Sequence, residues 1–335
     1  MTLVTLVVIG HSWGLLGGTD RDHQWYDFLY YFHIPAFVLV TGYLSKSFDW
    51  DRKHLFSLAT TILLPYLIFE PALLYYRAAL GQHEAEPVLL RPHWAMWYLP
   101  VLFLWRLATP ILKRHWLWVP AAVGISLAGG LISGQYLALC RVLGLLPFFV
   151  LGLHVERGHL DLLKPWWLKP FAVGALIWIF QFAQDTDLWA RTAFLFYDAG
   201  YADLGWPTQD AMRIRLTVMG IGLLGSLAVL TLVPRRGGWF ARMGAASMVV
   251  YLFHGFFVRF AEYAGWQDWA STHPFLSLPL TTLAAIGLSL TLASPPVRRT
   301  LTWAVDPVNS WLRHRRTTAP ARRPLAPAGV IRSEP

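Results

Sequence analysis

The feature that most limits this chain is a succession of apolar runs, about ten of them, most of which reach the ~17–25 residues a helix needs to cross the hydrocarbon core of a bilayer. They fall at 1–16, 28–45, 54–80, 95–112, 115–133, 136–154, 167–184, 211–233, 244–262 and 274–294. The first is short, and the third is long enough to tilt or kink. With 56% hydrophobic and only 14% charged residues, the composition excludes a soluble globular domain. The first run lacks a basic leader and a small-residue cleavage site and is followed by further runs, so it reads as a membrane helix and not as a signal peptide. A single cysteine, Cys140, excludes an internal disulfide and any cysteine-based metal cluster, leaving helix packing in lipid to supply stability. No internal repeat is visible. The expected fold is an all-α integral membrane bundle of about ten transmembrane helices over residues 1–295.

Charge orients this bundle. Arg and Lys concentrate in the even-numbered connections and the C-terminal tail, whereas the odd-numbered connections hold only Arg21, Arg91 and Arg191. Positive residues stay on the cytoplasmic side, so both termini are expected inside and the protein is expected as a multi-pass protein of the cell membrane. Residues 296–335 are rich in Pro, Ala and Arg and are expected to form a basic, disordered cytoplasmic tail along the anionic lipids of the inner leaflet. The net charge of +9 is therefore a topology signal. Its spread over several loops, with no single basic face, argues against nucleic acid as a partner.

Polar residues at membrane depth mark where function could sit. Counting along each run puts His11, His33 and Arg141 in one layer ~7–8 Å below the outer surface, at 1.5 Å per residue. Arg213, Arg215 and Arg259 lie nearer that surface, Glu70 and His254 deeper, and Arg106 toward the cytoplasm. Ionisable groups in lipid are costly and face a cavity or pair with one another. Pro35, Pro65, Pro71, Pro100 and Pro147 fall inside predicted helices, which is tolerated where cavity water or neighbours satisfy the freed carbonyls. Arg213, Arg215 and Arg259 could simply snorkel to headgroups, a reading that for Arg259 weighs evenly with function, and Arg77 reads as an interfacial anchor. On residues alone, catalysis by His11 and His33 and a packed polar pair weigh evenly.

The chemistry open to such a layer is specific. An oriented neutral imidazole can take a proton from a hydroxyl as that hydroxyl attacks an acyl donor, and nearby cations can hold the resulting oxyanion or an anionic substrate group. Arg141, Arg213 and Arg215 are the candidate substrate contacts of this kind, and Glu70 is a further substrate-binding candidate. No GxSxG or HxxxD motif and no cysteine nucleophile supplies an acyl-enzyme route, and Ser12 is not helically spaced to be activated by His11. His11 and His33 lack third and fourth ligands among the deep residues, so no metal and no bound cofactor are expected.

Five segments together carry a resemblance: "LVVIGHSW", "FHIPAFVLVTGYLSKS", "MWYLPVLFLWRL", "RVLGLLPFFVLGLH" and "SMVVYLFHGFF", in that order. The chain resembles the membrane acyltransferase 3 family over nearly all of its membrane part, and within it the branch of fucose 4-O-acetylase and related acetyltransferases. The resemblance implies transfer of an acetyl or short acyl group from acyl-CoA, as co-substrate, to a hydroxyl of a sugar, glycan or glycosylated metabolite. It implies His11 as the catalytic residue, with His33, Arg141 and His254 at recurrent positions and Trp97 and Tyr98 along the donor or acceptor path. Thr41 stands where the family usually has Ser before Gly42, which keeps the hydroxyl. The family also carries a basic residue eleven positions before the first histidine. Here that falls one residue before Met1, so an N-terminal lead is expected to be missing. A transporter or exporter of glycans, and a catalytically degenerate member of the family, are the rival readings.

Overall fold

The computed structural model describes residues 1–16, 18–81, 89–133, 136–234 and 237–318, and each of the ten runs contains a helix. Apart from short helical turns in the connections, the helices of these runs are α1 (Thr2–Trp13), α2 (Asp20–Ser45), α3 (Arg52–Ala79), α4 (Trp94–Leu112), α5 (Trp118–Gly129), α6 (Tyr136–Gly144), α7 (Leu146–His154), α8 (Leu168–Ala183), α9 (Thr208–Leu232), α10 (Trp239–Tyr263) and α11 (Pro274–Ala293). No strand occurs among the described residues.

Fewer helices than runs qualify as membrane spans by length and composition. Six helices, α2, α3, α4, α9, α10 and α11, are long and apolar enough to cross a membrane, and α6 with α7 makes a seventh if that pair, bent by 56°, is one span. Helices α1, α5 and α8, of 12, 12 and 16 residues, are shorter. Glycines lie where two of them stop: Gly14 follows Trp13, and Gly130 follows Gly129. A hydropathy run continues through such residues, whereas glycine weakens a helix by roughly 0.5–1 kcal/mol relative to alanine through its backbone entropy.

Other boundaries move for identifiable reasons. Helix α2 begins at Asp20, eight residues before the apolar run, because Thr19 and Asp22 form a capping box: the Asp22 amide donates to Thr19 Oγ1 at 3.2 Å and the Thr19 amide to the Asp22 carboxylate at 3.4 Å. Within α3, residues Ala59–Leu63 form a π-helical turn immediately before Pro65, whose missing N–H cannot serve the ladder. The run 136–154 breaks ahead of Pro147. Carbonyls beside that break are taken by side chains: Val142 O accepts from the Trp105 indole at 2.9 Å, and Gly144 O from the Ser126 hydroxyl at 2.7 Å.

Helix α2 is the axis of the bundle, in contact with α1, α7, α8 and α9. Close approach is achieved with glycine. A methyl at Gly152 of α7 would stand 2.1 Å from Leu39 O, and one at Gly42 of α2 2.1 Å from Phe149 O, so the two backbones touch there. Helix α1 is held between α2, α10 and α11, which fixes His11 against α10.

The C-terminal segment departs from expectation. Instead of a disordered tail, the chain continues as α12 (Pro295–Val305) and α13 (Pro307–Thr318); residues 319–335, also expected to be disordered, lie outside the described residues. Prolines open both helices, where a missing N–H costs nothing.

Two ends can be told apart. At one, Met1 lies against Gly244, the Lys46 ammonium donates to Val155 O, and that of Lys113 to Phe48 O at 2.8 Å. At the other, Leu137 N donates to Leu90 O at 2.6 Å and Tyr201 N to Gly130 O at 2.7 Å, tying the chain at residue 90 to that at 137 and the chain at 130 to that at 201.

Candidate active site

His11 reaches the bundle interior because α1 is short and is wedged between α2 and α10. Its imidazole meets the Trp94 indole at 4.5 Å and the His254 ring at 5.3 Å between centroids, and Trp94 and His254 lie 5.5 Å apart. Three rings from three helices thus form one cluster. His33, the partner expected for His11, instead lies one residue along: its Nε2 faces Gly10, 3.4 Å from where a methyl there would stand.

His33 and His254 are fully buried and share an arrangement. His33 Nδ1 is 2.7 Å from Leu29 O, and His254 Nδ1 is 2.6 Å from Tyr251 O, so each Nδ1 carries the hydrogen and donates to a carbonyl of its own helix. In the neutral rings Nε2 then keeps a lone pair, and neither Nε2 has a hydrogen-bond partner. A buried polar atom without a partner costs about 1–3 kcal/mol. Two of them close to His11 mark a place where fold stability yields to something else.

His11 borders a cavity of about 200 Å³ whose walls include Tyr26, Tyr30, Trp94, Trp97 and Arg141. Arg141 is fixed in three directions. Its guanidinium lies over the Trp97 ring at 4.7 Å, donates from Nη2 to Asp198 at 2.8 Å, and from Nε to Phe196 O at 3.2 Å. Tyr26 and Tyr30 stack at 4.2 Å on the facing side. Four aromatic faces and one clamped cation suit a polar ring with hydroxyl groups.

The backbone around this cavity is strained. The four non-glycine residues with positive φ among those described are Trp94 (46°), Leu137 (49°), Ala138 (52°) and Tyr197 (54°). Trp94 lines the cavity, Tyr197 stands between Phe196 and Asp198, and Leu137 and Ala138 lead into Arg141. Left-handed backbone costs an L-residue ~1–2 kcal/mol. Its concentration here is a second mark of a functional site, independent of the histidines. Trp94 is held in place from both sides: Glu70 accepts from the His93 amide at 2.9 Å and from His93 Nδ1 at 2.5 Å, Tyr251 OH donates to Ala95 O, and the Arg259 guanidinium covers the indole at 4.6 Å.

The remaining expected contacts are dispersed. Tyr98 lies beyond the ring cluster, donating to Thr41 Oγ1 at 2.6 Å, in a second cavity of about 320 Å³ shared with Arg106, Ser247 and Tyr251. Glu70 meets His93 and does not line the His11 cavity. Arg215, 1% exposed, is a brace: it donates to Ser126 O at 3.0 Å and Ala199 O at 3.2 Å and lies over Tyr201 at 4.8 Å. Arg213 is an exposed residue beside Asp210, because it lies on the outward face of α9 while Ala211, Ile214 and Arg215 face inward. Reading the sequence missed Trp94, Tyr26, Tyr30 and Asp198. Asp198 sits in "FLFYDAGYADLGWP", an aromatic and acidic loop whose composition was its only signal. Among the described residues no group of three or more His, Cys, Asp or Glu side chains is placed to hold a metal.

A family model described as an acyltransferase domain, type 3, matches residues 1–294. No curated protein and no solved structure matches the chain. The match spans every helix that builds the His11 cavity, and several helices are apolar and long enough to cross a bilayer. The chain belongs to the acyltransferase 3 family and is a multi-pass membrane protein.

Proposed function

We propose that the protein is an O-acyltransferase that moves an acetyl or other short acyl group from acyl-CoA to a hydroxyl of a sugar or glycan, with His11 as general base. One observation carries the reading: the His11 imidazole opens on a cavity walled by aromatic faces and a clamped arginine, while its other flank touches a buried histidine whose Nε2 has no partner. In the reacting complex a turn of the two rings would bring the His11 N–H to the free Nε2 of His254, which leaves the other His11 nitrogen free to take the acceptor proton. The hydroxyl oxygen then forms its bond to the thioester carbonyl carbon, the carbon–sulfur bond breaks, and the thiolate leaves with the proton that the imidazolium returns. Arg141, over Trp97, contacts the acceptor together with Tyr26, Tyr30 and Trp94. His33 supports the same layer through Gly10.

The cavity of Tyr98, Thr41 and Arg106 lies on the other side of the ring cluster and suits the donor arm. In this reading the shorter helices α1, α5 and α8 complete ten crossings. Both termini are cytoplasmic, the protein sits in the cell membrane, and the acceptor arrives from outside at the end where Asp198 lies, as in acetylation of surface sugars by the fucose 4-O-acetylase branch.

Replacing His11 by Ala tests this. Acetylated product, read by mass spectrometry of surface glycans and of purified protein given acetyl-CoA, is expected to fall ~10²–10⁴-fold, the range of general acid–base catalysis, with insertion and melting temperature retained. A carrier of glycans would instead lose substrate movement and show no acyl chemistry in the unmutated protein, and a degenerate member would show neither.

A further inference from the structure

Helices α12 and α13 border, with the Gly244–Ala246 turn that interrupts α10, an open groove of about 570 Å³, lined by Arg298, Arg299, Thr302, Trp303, His314 and Ala245 among others. All but Ala245 lie beyond residue 294, where the family match ends. Arg298 and Arg299 form no ion pair among the described residues. Trp303 is 50% exposed, with its ring 6.0 Å from that of His314. Two uncompensated guanidinium forks beside an accessible indole are the groups that hold phosphates and stack a heteroaromatic base.

Position gives this pocket a meaning. Ala245 lines it, and Ser247 and Met248, two and three residues on, line the cavity of Tyr98 and Arg106, so the two meet the chain within three residues of each other. From Ser247 the helix climbs seven residues to His254, about 10 Å. A ligand with an anionic head at the membrane surface and a thin arm reaching the ring cluster would occupy the two cavities in sequence. Resting on the donor assignment above, we propose that α12 and α13 bind the phosphorylated adenosine end of acyl-CoA. The phosphates lie at Arg298 and Arg299, the base lies on Trp303, and the pantetheine arm passes over the Gly244–Ala246 turn toward His11.

The test uses the full chain in nanodiscs of neutral lipid. Calorimetric titration compares acetyl-CoA, its 3′-dephospho form and adenosine 3′,5′-bisphosphate on the unmutated protein, on R298Q/R299Q and on W303A. Acetyl-CoA affinity is expected to fall about tenfold or more in each variant, with the effect on turnover confined to the donor KM. Adenosine bisphosphate is expected to compete. The double variant is expected to lose the preference for the 3′-phosphate, a readout that misfolding would not give. Unchanged acetyl-CoA affinity in R298Q/R299Q, with transfer intact, overturns the site and leaves the acyltransferase reading standing. Unchanged acetyl-CoA affinity with lost binding to phosphatidylglycerol vesicles overturns it in favour of a lipid headgroup. Absence of acetyl-CoA binding to the unmutated protein overturns the donor assignment, and this site with it.

Discussion

Arg141 is a half-buried cation whose direction is set by its neighbours. The side chain is 20% exposed and its Asp198 partner 27%, so the ion pair contributes only ~1 kcal/mol. What the pair adds is direction, since it fixes the guanidinium plane over Trp97. Arg141→Lys keeps the charge but not the stacked fork, and is expected to raise the acceptor KM about tenfold with little change in melting temperature. Kinetics at saturating donor check this. Asp198→Asn is expected to move the same parameter in the same direction by less. Glu70 holds His93, the neighbour of the left-handed Trp94. Glu70→Ala leaves the His93 amide without its acceptor and lets the strained segment relax. The expected result is a fall in kcat of about tenfold, larger than the change in either KM, in the same assay.

At the scale of elements, glycines separate positions that hold the fold from positions that shape the site. Gly152→Ala drives a methyl into Leu39 O and is expected to destabilise the α2–α7 contact by about 1–3 kcal/mol or more, seen as a lower melting temperature in detergent. At Gly255 a methyl would stand 3.0 Å from the Trp94 ring, a side chain able to shift. Gly255→Ala is therefore expected to cost activity out of proportion to stability, because the indole that moves is the one touching His11. Gly287 has open space around its absent methyl, and Gly287→Ala is expected to be neutral or stabilising by up to ~1 kcal/mol. Melting curves and initial rates on the three variants distinguish these cases.

For the whole molecule, charge asymmetry and the two ends of the bundle make one prediction. With Cys140 replaced by Ser, a cysteine at Asp268, exposed in the connection after α10, is expected to react with an impermeant maleimide in intact cells, and one at Arg157 only after permeabilisation. Much of this was legible before any coordinates. Unbroken apolar runs forced a helical membrane bundle, because nothing else satisfies the backbone of such a chain in lipid, and five ordered segments carried the family. His11, Arg141, His254 and Trp97 were legible as costly or motif-bearing groups, and the structure brings them to one cavity or its edge. Other features were not legible because they depend on contacts between distant segments. The ring that meets His11 belongs to His254 and not His33; Arg215 braces a loop, while Asp198 from another loop directs Arg141; and a capping box lengthens α2 where hydropathy reads polar sequence. Hydrophobicity is a property of each residue and so can be read along a chain, which is why the sequence by itself determined the solvent, the helical class and the family. Only the tertiary structure decided which imidazoles share a cluster, which arginines face a cavity and where the backbone bears strain, since these follow from which surfaces of the helices pack together.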